Sequence, residues 1–447
     1  MTKIIWRLKM AVKVVKFGGT SLADANQFKQ VASIIKADEA RKFVVASAPG
    51  KRSKDDIKVT DMLYQCYNMI KNNEDITEIF GKISDRYLGI IADLGIDFDI
   101  RGELEYTKNA MLLHSGRDFA ASRGEYLNSL ILAKYLGYDF IDAENVIFFK
   151  ENGTFDEELT DSVLRDELKK HKHAVIPGFY GSMPNGTVKT FSRGGSDVTG
   201  AIVARAADAD IYENWTDVSG MKMADPRIVD NPKTIETVTY RELRELSCMG
   251  ATVLHEDAVF PARIAGIPIN IRNTNSPEDK GTMIVASTGS FDKECIITGV
   301  TGKRGYSVIN IEADKMNSTI GFVRRVLEIF EENEVPFEHL PSGIDTISIV
   351  LGTEKFEPQR DKILNTIHRR IQPDSLSVED GLALIAVVGR GMVKVKGTAA
   401  KVFDAVSEAD VNIRMIDQGS SEINIILAVE ERDFEKTLKA IYNKFAG

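Results

Sequence analysis

Three short strings hold the residues whose types and spacing suit chemistry on anions. The first, Lys16-Phe17-Gly18-Gly19-Thr20-Ser21, closes a β-branched run and precedes a helical one. Paired glycines let backbone N–H groups approach an anion, a following helix N-terminus favours negative charge, and Lys16 can reach a phosphoryl group in transfer. This is a phosphate cradle in composition. It is not a Walker A loop, because the GxxxxGK[ST] spacing occurs nowhere in the chain, and a lone Gly-Gly pair after a strand is more often an ordinary turn. The second string, Ser192-Arg193-Gly194-Gly195-Ser196-Asp197, opens another helix. Arg193 offers a planar fork suited to carboxylate, while of Ser196 and Asp197 one is expected as the helix N-cap and the other as a substrate contact. The third, Asn214-Trp215-Thr216-Asp217-Val218-Ser219-Gly220, is followed by Ala224-Asp225-Pro226-Arg227 and comes after a strand, where open α/β sheets place ligand loops. Each loop alone says little; their order and spacing together say more.

The elements that must position these loops alternate along the first two thirds of the chain. Short β-branched runs at 12–17, 43–48, 174–177, 211–214 and 268–272 alternate with helical periodicity at 28–35, 126–135, 198–207 and 241–246. That alternation predicts an α/β domain with a largely parallel sheet and helices on both faces. Residues 273–281 are polar and rich in turn formers, and a domain boundary is expected a little beyond them, dividing 11–290 from 291–447.

The last third contains a repeat. A shift of 76 positions (411 − 335) pairs Gly321 with Gly397, Val326 with Val402, Val335 with Val411, Gly343 with Gly419, Ile347 with Ile423, Ile349 with Ile425 and Leu351 with Leu427, without a gap. Each copy, about 305–378 and 380–447, reads βαββα with one strand still owed. No strand follows the final helix, so the second copy is expected to borrow the apolar segment 295–300 that precedes the first, interlocking the two. The decoy Gly389-Arg390-Gly391 begins like a dinucleotide fingerprint, but Lys394 stands where the third glycine is needed, and the repeat explains the segment better.

Composition narrows the classes. A chain of 447 residues, 43% hydrophobic, has room for more than one core. Its net charge of −9, with Lys and Arg interspersed among Asp and Glu, argues against nucleic acid or an anionic membrane as partner. Cys66, Cys248 and Cys295 lie far apart without a CxxC pair, which suits a reducing cytoplasm and suggests neither disulfides nor zinc. No run reaches the roughly 20 apolar residues of a membrane span. The mildly basic MTKIIWRLKM has no apolar h-region and reads as an extension ahead of a natural start at Met10. His255 has no HExxH around it and reads as structural, so no metal site is expected.

Taken together, KFGGTS at 16–21, SAPG at 47–50, RGE at 123–125, RGGSD at 193–197, TDVSG at 216–220 and ADPR at 224–227 resemble the aspartate kinases of the amino-acid kinase family, and the repeat looks like their tandem ACT domains. The resemblance covers the chain beyond Val12 and implies a three-layer αβα sandwich followed by two interlocked ferredoxin-like βαββαβ domains. It also implies phosphorylation of the L-aspartate β-carboxylate by ATP, with Mg2+ carried by the nucleotide, at the head of lysine, threonine and methionine synthesis. On this resemblance Lys16 stabilises the moving γ-phosphoryl group and Phe17, Gly18 and Gly19 line its path. Arg193 holds a substrate carboxylate, Glu125 its ammonium, and Asp197 orients Lys16 or that ammonium, while Ser47 and Thr60 complete the pocket. Thr216, Asp217 and Arg227 hold the nucleotide. Lys222 stands where the family commonly has Tyr, and Thr252 where it commonly has Lys; the expectation is that Lys222 replaces the missing cation on the ATP phosphates beside Thr252.

The same resemblance implies feedback by an amino acid bound where the first copies of two chains meet, at Met316, Ser318, Thr319, Gly321, Phe337, Glu338, Ser342 and Asp345. Two carboxylates there favour L-lysine, with threonine, alone or with lysine, as the alternative, and the resemblance implies a homodimer or a dimer of dimers. Rival readings are a kinase for glutamate, acetylglutamate or a nucleoside monophosphate, and a non-catalytic amino-acid sensor on the kinase fold. RGGSD together with two ACT copies argues against the first, and retention of Lys16, Arg193 and Asp197 against the second.

Overall fold

The computed structural model describes residues 11–113, 115–192, 194–251, 254, 256–288 and 296–446. Two compact units emerge. The first contains the described residues up to Met221, Thr234–Tyr240 and the described part of Thr252–Thr288; the second contains Lys222–Lys233, Arg241–Ala251 and the described part of Gly289–Gly447.

The first unit is built on an eight-stranded sheet. Its strands are β1 (Lys13–Phe17), β2 (Arg41–Ala46), β3 (Asp139–Phe140), β4 (Ala174–Pro177), β7 (Ile211–Thr216), β8 (Thr237–Thr239), β9 (Ile269–Asn273) and β10 (Thr282–Val285), in the order β3-β4-β2-β1-β7-β9-β10-β8. All neighbours run parallel except the β9–β10 pair. A separate two-stranded ribbon joins β5 (Tyr180–Ser182) to β6 (Val188–Thr190). The central strands read as continuous apolar runs because both faces are covered: Val14, Val15, Val44, Val45, Val175 and Ile176 are all fully buried. Helix Ala25–Lys36 starts where the Asp24 carboxylate accepts the Gln27 N–H, and it turns Phe28, Val31, Ala32 and Ile35 onto the sheet. Helix Arg117–Leu136 is buried almost all round, which is why its N-terminal half carries no amphipathic period. Beneath β1 and β7, Glu213 is tied to Arg41 at 2.8 Å and to the Trp215 indole N–H at 2.9 Å.

The strand order reverses direction in sequence at β1: β2 follows on one side and β7 on the other. A crevice therefore opens outside the carboxyl ends of these strands, the switch point at which doubly wound sheets bind ligands. The first and third strings lie at that edge, and Asp197 of the second reaches it through Lys16.

In the second unit the repeat resolves into one sheet ordered β12-β11-β13-β15-β14, from β11 (Gly299–Glu312), β12 (Thr346–Gly352), β13 (Ser375–Val388), β14 (Met415–Asp417) and β15 (Asn424–Glu430). Two strands are long because each serves both copies. Residues 306–312 of β11 pair with β12 and with the start of β13 in the first copy, while 299–304 pair with 383–388 in the second. The owed strand thus comes from ahead of the first copy and interlocks the two, although its ladder begins at Gly299 rather than 295. Cys295 lies outside the described residues. Helices Phe322–Glu332 and Thr398–Glu408 match residue for residue at the 76-residue shift. The second strand of the first copy is reduced to isolated bridges at His339 and Ser342; Pro341 stands between them and removes a ladder donor. Gly389 directly follows β13 inside the second copy, its N–H donating to the Ile423 carbonyl at 2.9 Å, so the segment belongs to the repeat.

Candidate active site

Lys16, next to last in β1, is in register with Asn214 of β7, and its ammonium lies 2.6 Å from the Asp197 carboxylate. Only 7% of Lys16 is exposed. Asp197 is held in turn by the Asn214 amide at 2.9 Å, and the Tyr212 hydroxyl donates to its backbone carbonyl at 3.2 Å. A buried ammonium aimed along the strand ends, oriented by a carboxylate that is itself oriented, is a preorganised charge for an anion arriving in the crevice.

The cradle follows directly. Gly18 N–H donates to the Trp215 carbonyl at 3.0 Å, and Gly50 N–H donates to the Gly19 carbonyl at 2.8 Å. A Cβ on Gly50 would stand 2.6 Å from the Gly19 carbonyl carbon and 2.7 Å from Thr20 N, so two backbones meet where no side chain fits. Arg86 braces this turn from behind, donating to the carbonyls of Gly50 at 3.2 Å and Ala23 at 3.3 Å and to Asp56 at 2.7 Å. Hydrogen bonds from Arg52, supported by Arg86, hold the Asp56 carboxyl well below the usual range. We expect Gly50→Ala to destabilise the protein by about 1–3 kcal/mol in urea unfolding. Gly81→Ala, in a helix where an added Cβ meets nothing within 4 Å, should stabilise it by up to about 1 kcal/mol. Equal effects at the two sites would deny the close approach.

Glu125 faces the same crevice from helix Arg117–Leu136. The helix can approach because residue 124 is glycine: a Cβ there would lie 2.8 Å from the Ala48 Cβ and 3.6 Å from the Thr60 hydroxyl. Glu125 is buried, and one of its oxygens has no hydrogen-bond partner. Desolvation pushes its carboxyl up to about 8, against the pull of the backbone N–H groups of Ala48 and Glu125 and of the Lys16 ammonium. A neutral, unsatisfied carboxyl near a buried lysine is poised to ionise when a cation arrives. Asn128, one turn on, donates to the Ser47 carbonyl at 2.7 Å and leaves its own oxygen unpartnered.

Of the residues singled out from sequence, Lys16, Gly18, Gly19, Ser47, Thr60, Glu125, Asp197, Thr216 and Asp217 all belong to the first unit. The Phe17 side chain is fully buried, stacked on Trp215 at 5.9 Å, so it can meet a ligand only through its backbone. Neither Ser196 nor Asp197 is an N-cap: Gly194, at φ 55, caps helix Gly195–Ala206 without any side-chain bond, and Asp197 sits in the first turn. Lys222 and Arg227 belong to the second unit, where the exposed Arg227 pairs with Asp225 at 2.6 Å. Arg193, Thr252 and His255 lie outside the described residues. The roles of Asn214 and Asn128 were missed from sequence; the available signal was a buried amide on a strand that ends at a ligand loop and another on a largely buried helix.

In the second unit Met316 is buried, whereas Ser318, Thr319, Gly321, Phe337, Glu338, Ser342 and Asp345 are exposed. Gly321, at φ 74, caps helix Phe322–Glu332. Glu338 N–H donates to the Val350 carbonyl at 2.8 Å, and the Asp345 carbonyl accepts from Ala313 at 2.9 Å, so both carboxylates stand on fixed backbone.

A buried lysine at the switch point of a three-layer αβα sheet, on a chain that also carries a duplicated ACT-type module, defines a small-molecule kinase with a ligand-sensing region. Comparison with known proteins agrees. The amino acid kinase family profile matches residues 11–273, and an ACT domain profile matches 385–445. Aspartokinase 3 of Bacillus subtilis is 38% identical over 97% of this chain and 98% of its own length. The crystal structure of Clostridium acetobutylicum aspartate kinase superposes with a TM-score of 0.89 at 52% identity, covering 98% of this chain and 100% of that one. Escherichia coli aspartokinase III in complex with aspartate and ADP gives 0.74 at 25% identity over 98% and 100%. The chain belongs to the amino acid kinase family and, within it, to the aspartokinases.

Proposed function

We propose that this protein transfers the γ-phosphoryl group of ATP to the β-carboxylate of L-aspartate, giving 4-phospho-L-aspartate and ADP. The observation that carries the reading is the oriented Lys16–Asp197 pair at 2.6 Å, with the unsatisfied Glu125 carboxyl facing the same crevice. A β-carboxylate oxygen attacks the γ-phosphorus in line, the bond from that phosphorus to the bridging oxygen breaks, and ADP leaves with the bond electrons. The acceptor is already an anion, so no general base is needed, and positioning with charge neutralisation supplies the rate. Lys16 meets the charge on the transferring group. Glu125, ionised on binding, takes the substrate ammonium, and Arg193 takes the α-carboxylate. Ser47 and Thr60 close the pocket, and Thr216 and Asp217 serve the nucleotide. Among the described residues no cluster of three or more His, Cys, Asp or Glu is placed to hold a metal. Mg2+ would be carried by the nucleotide phosphates, where it would neutralise charge on the transferring group.

The test compares acceptors under hydroxylamine, which traps an acyl phosphate as a hydroxamate. L-Aspartate should support turnover with MgATP, whereas L-glutamate, longer by one methylene, should be poorer by roughly 10–200-fold. Equal turnover of both acids would point to a different acceptor.

Regulation completes the proposal. L-Lysine binds beside the N-terminus of helix Phe322–Glu332, with Glu338 and Asp345 taking its ammonium groups, where the first copies of two chains meet. Exposed Ile320, Phe337 and Ile344 (97%, 44% and 70% exposed) supply apolar surface for that pairing. Such a pairing makes the protein a homodimer, or a dimer of dimers. The reaction stands at the head of lysine, threonine and methionine synthesis in a reducing cytoplasm; among the described residues no helix is long and apolar enough to cross a membrane. Glu338→Ala should move the lysine inhibition curve to concentrations at least about tenfold higher, the loss of one charge-assisted bond. An unmoved curve would take Glu338 out of the effector site.

A further inference from the structure

The polar turn at 273–281 looks from sequence like a mere connector, yet in the structure it touches both loops at the phosphate end of the crevice. Toward the cradle, the Thr274 hydroxyl lies 2.7 Å from that of Ser21, Gln30 donates to the Thr274 carbonyl at 3.3 Å, and Gln27 donates to Asn275 at 3.2 Å. Toward the loop 216–220, Thr274 N–H donates to the Thr216 carbonyl at 2.8 Å. At the far end of that loop, the Ser219 hydroxyl donates to Asp279 at 2.5 Å and accepts from the Asn273 amide at 2.9 Å. Gly220, at φ 88, sits so near Thr282 that a Cβ would lie 2.5 Å from its hydroxyl, and Met221 N–H donates to that hydroxyl at 2.8 Å.

The turn itself is stiff. Asn275 N–H donates to the Asn273 side chain at 2.9 Å and Asp279 N–H to the Ser276 carbonyl at 3.1 Å. Arg272 spans it, donating to the carbonyls of Pro277 at 2.5 Å and Asp279 at 3.3 Å while its guanidinium stacks on Trp215 at 4.6 Å. Burial lowers the affinity of Arg272 for its proton, so these carbonyls and the indole face do the work that water would otherwise do. The loop is thereby pinned at Thr216 and again at 219–221, and only Asp217 and Val218 at its crown are exposed. A loop fixed at both ends with an open crown is one preorganised for a ligand.

We propose that the turn 273–281 is the positioning element of the nucleotide loop, and that Asp279 is its positioning residue, acting through Ser219 on Asp217 and Thr216. The inference rests on the reading of 216–220 as the nucleotide loop, and it adds that the binding strength of the loop is set from outside it.

The test uses the full chain in a Trp6→Phe background, which leaves Trp215 as the sole tryptophan and as a fluorescence probe of ATP binding. Asp279→Ala should raise both the fluorescence Kd and the KM for ATP about tenfold, with the KM for aspartate changed less than twofold. Asp279→Asn, which keeps an acceptor for Ser219, should stay within threefold of the parent. Ser219→Ala combined with Asp279→Ala should be no worse than the weaker-binding single variant, because both remove the same contact. ATP affinity unmoved by Asp279→Ala, or a parallel rise in both KM values, would overturn the proposal. Asp217→Ala separates the layers: if it too leaves ATP affinity unchanged, the nucleotide reading of the loop fails, whereas if it weakens ATP while Asp279→Ala does not, only the positioning role fails.

Discussion

Lys16→Met should lower kcat on the order of 10³-fold while moving the KM values for ATP and aspartate only a few-fold, since removal of one preorganised transition-state donor typically has an effect of that size. The ammonium is buried and already paired with Asp197, so it is paid for before substrate arrives and its attraction rises as charge spreads over the transferring group. An interaction stronger in the transition state than in the ground state appears in kcat. Methionine preserves the length and apolar stem of lysine, and unchanged circular dichroism and melting temperature would exclude collapse of β1. A tenfold or smaller loss in kcat, or a loss confined to KM, would remove Lys16 from the transfer step. Asp197→Asn should fall between Lys16→Met and the parent, because the Asn214 amide faces the carboxylate and an asparagine oxygen can still accept that bond.

The second large effect belongs to Glu125, whose carboxyl burial pushes from 4.5 up to about 8. Below about 8 the free protein holds it protonated, and an arriving ammonium favours the carboxylate. Aspartate binding at pH 7 should therefore release close to one proton, measurable by calorimetry in buffers of different ionisation enthalpy, and affinity for aspartate should rise with pH and level off above about 8. Stability runs the other way. Between 4.5 and about 8 the folded state binds more protons at this site than the unfolded chain, so its contribution to stability falls as pH rises through that window and is constant above it. Glu125→Gln removes the penalty: its melting temperature should exceed that of the parent at pH 8.5 and equal it near pH 5, while the KM for aspartate rises on the order of 10²-fold, the loss of a charge-assisted bond in a buried site. Proton release identical in parent and variant would contradict the assignment.

How far the sequence carried this picture depended on whether a signal was local. β1, β2 and β4 were readable as short β-branched runs buried on both faces, and β7 and β9 as short runs with Ile or aromatic residues before turn formers. The duplication was readable because a fixed shift is arithmetic, and the missing strand of its second copy followed from counting. Helix Arg117–Leu136 was recovered only from 126 onward: with Ala120, Ala121, Ser122, Arg123 and Gly124 all buried, there is no polar stripe to betray a period. The caps of helix Gly195–Ala206 misled because Ser and Asp suit an N-cap by propensity, while the φ of 55 at Gly194 that settles the matter is a backbone property. Asn214 and Asn128 act on partners outside their own elements, Asp197 and Ser47, so the sequence shows the amides but not what they hold. The turn 273–281 was seen for its composition and not for its contacts, which reach back about 250 residues to Ser21.

The most direct test is product identity. With MgATP, L-aspartate and hydroxylamine, aspartate β-hydroxamate should appear mole for mole with ADP, and neither should form without aspartate. ADP released without hydroxamate, or no turnover at any aspartate concentration from folded protein that still binds L-lysine, would contradict phosphoryl transfer to the β-carboxylate and favour a sensor built on the kinase fold.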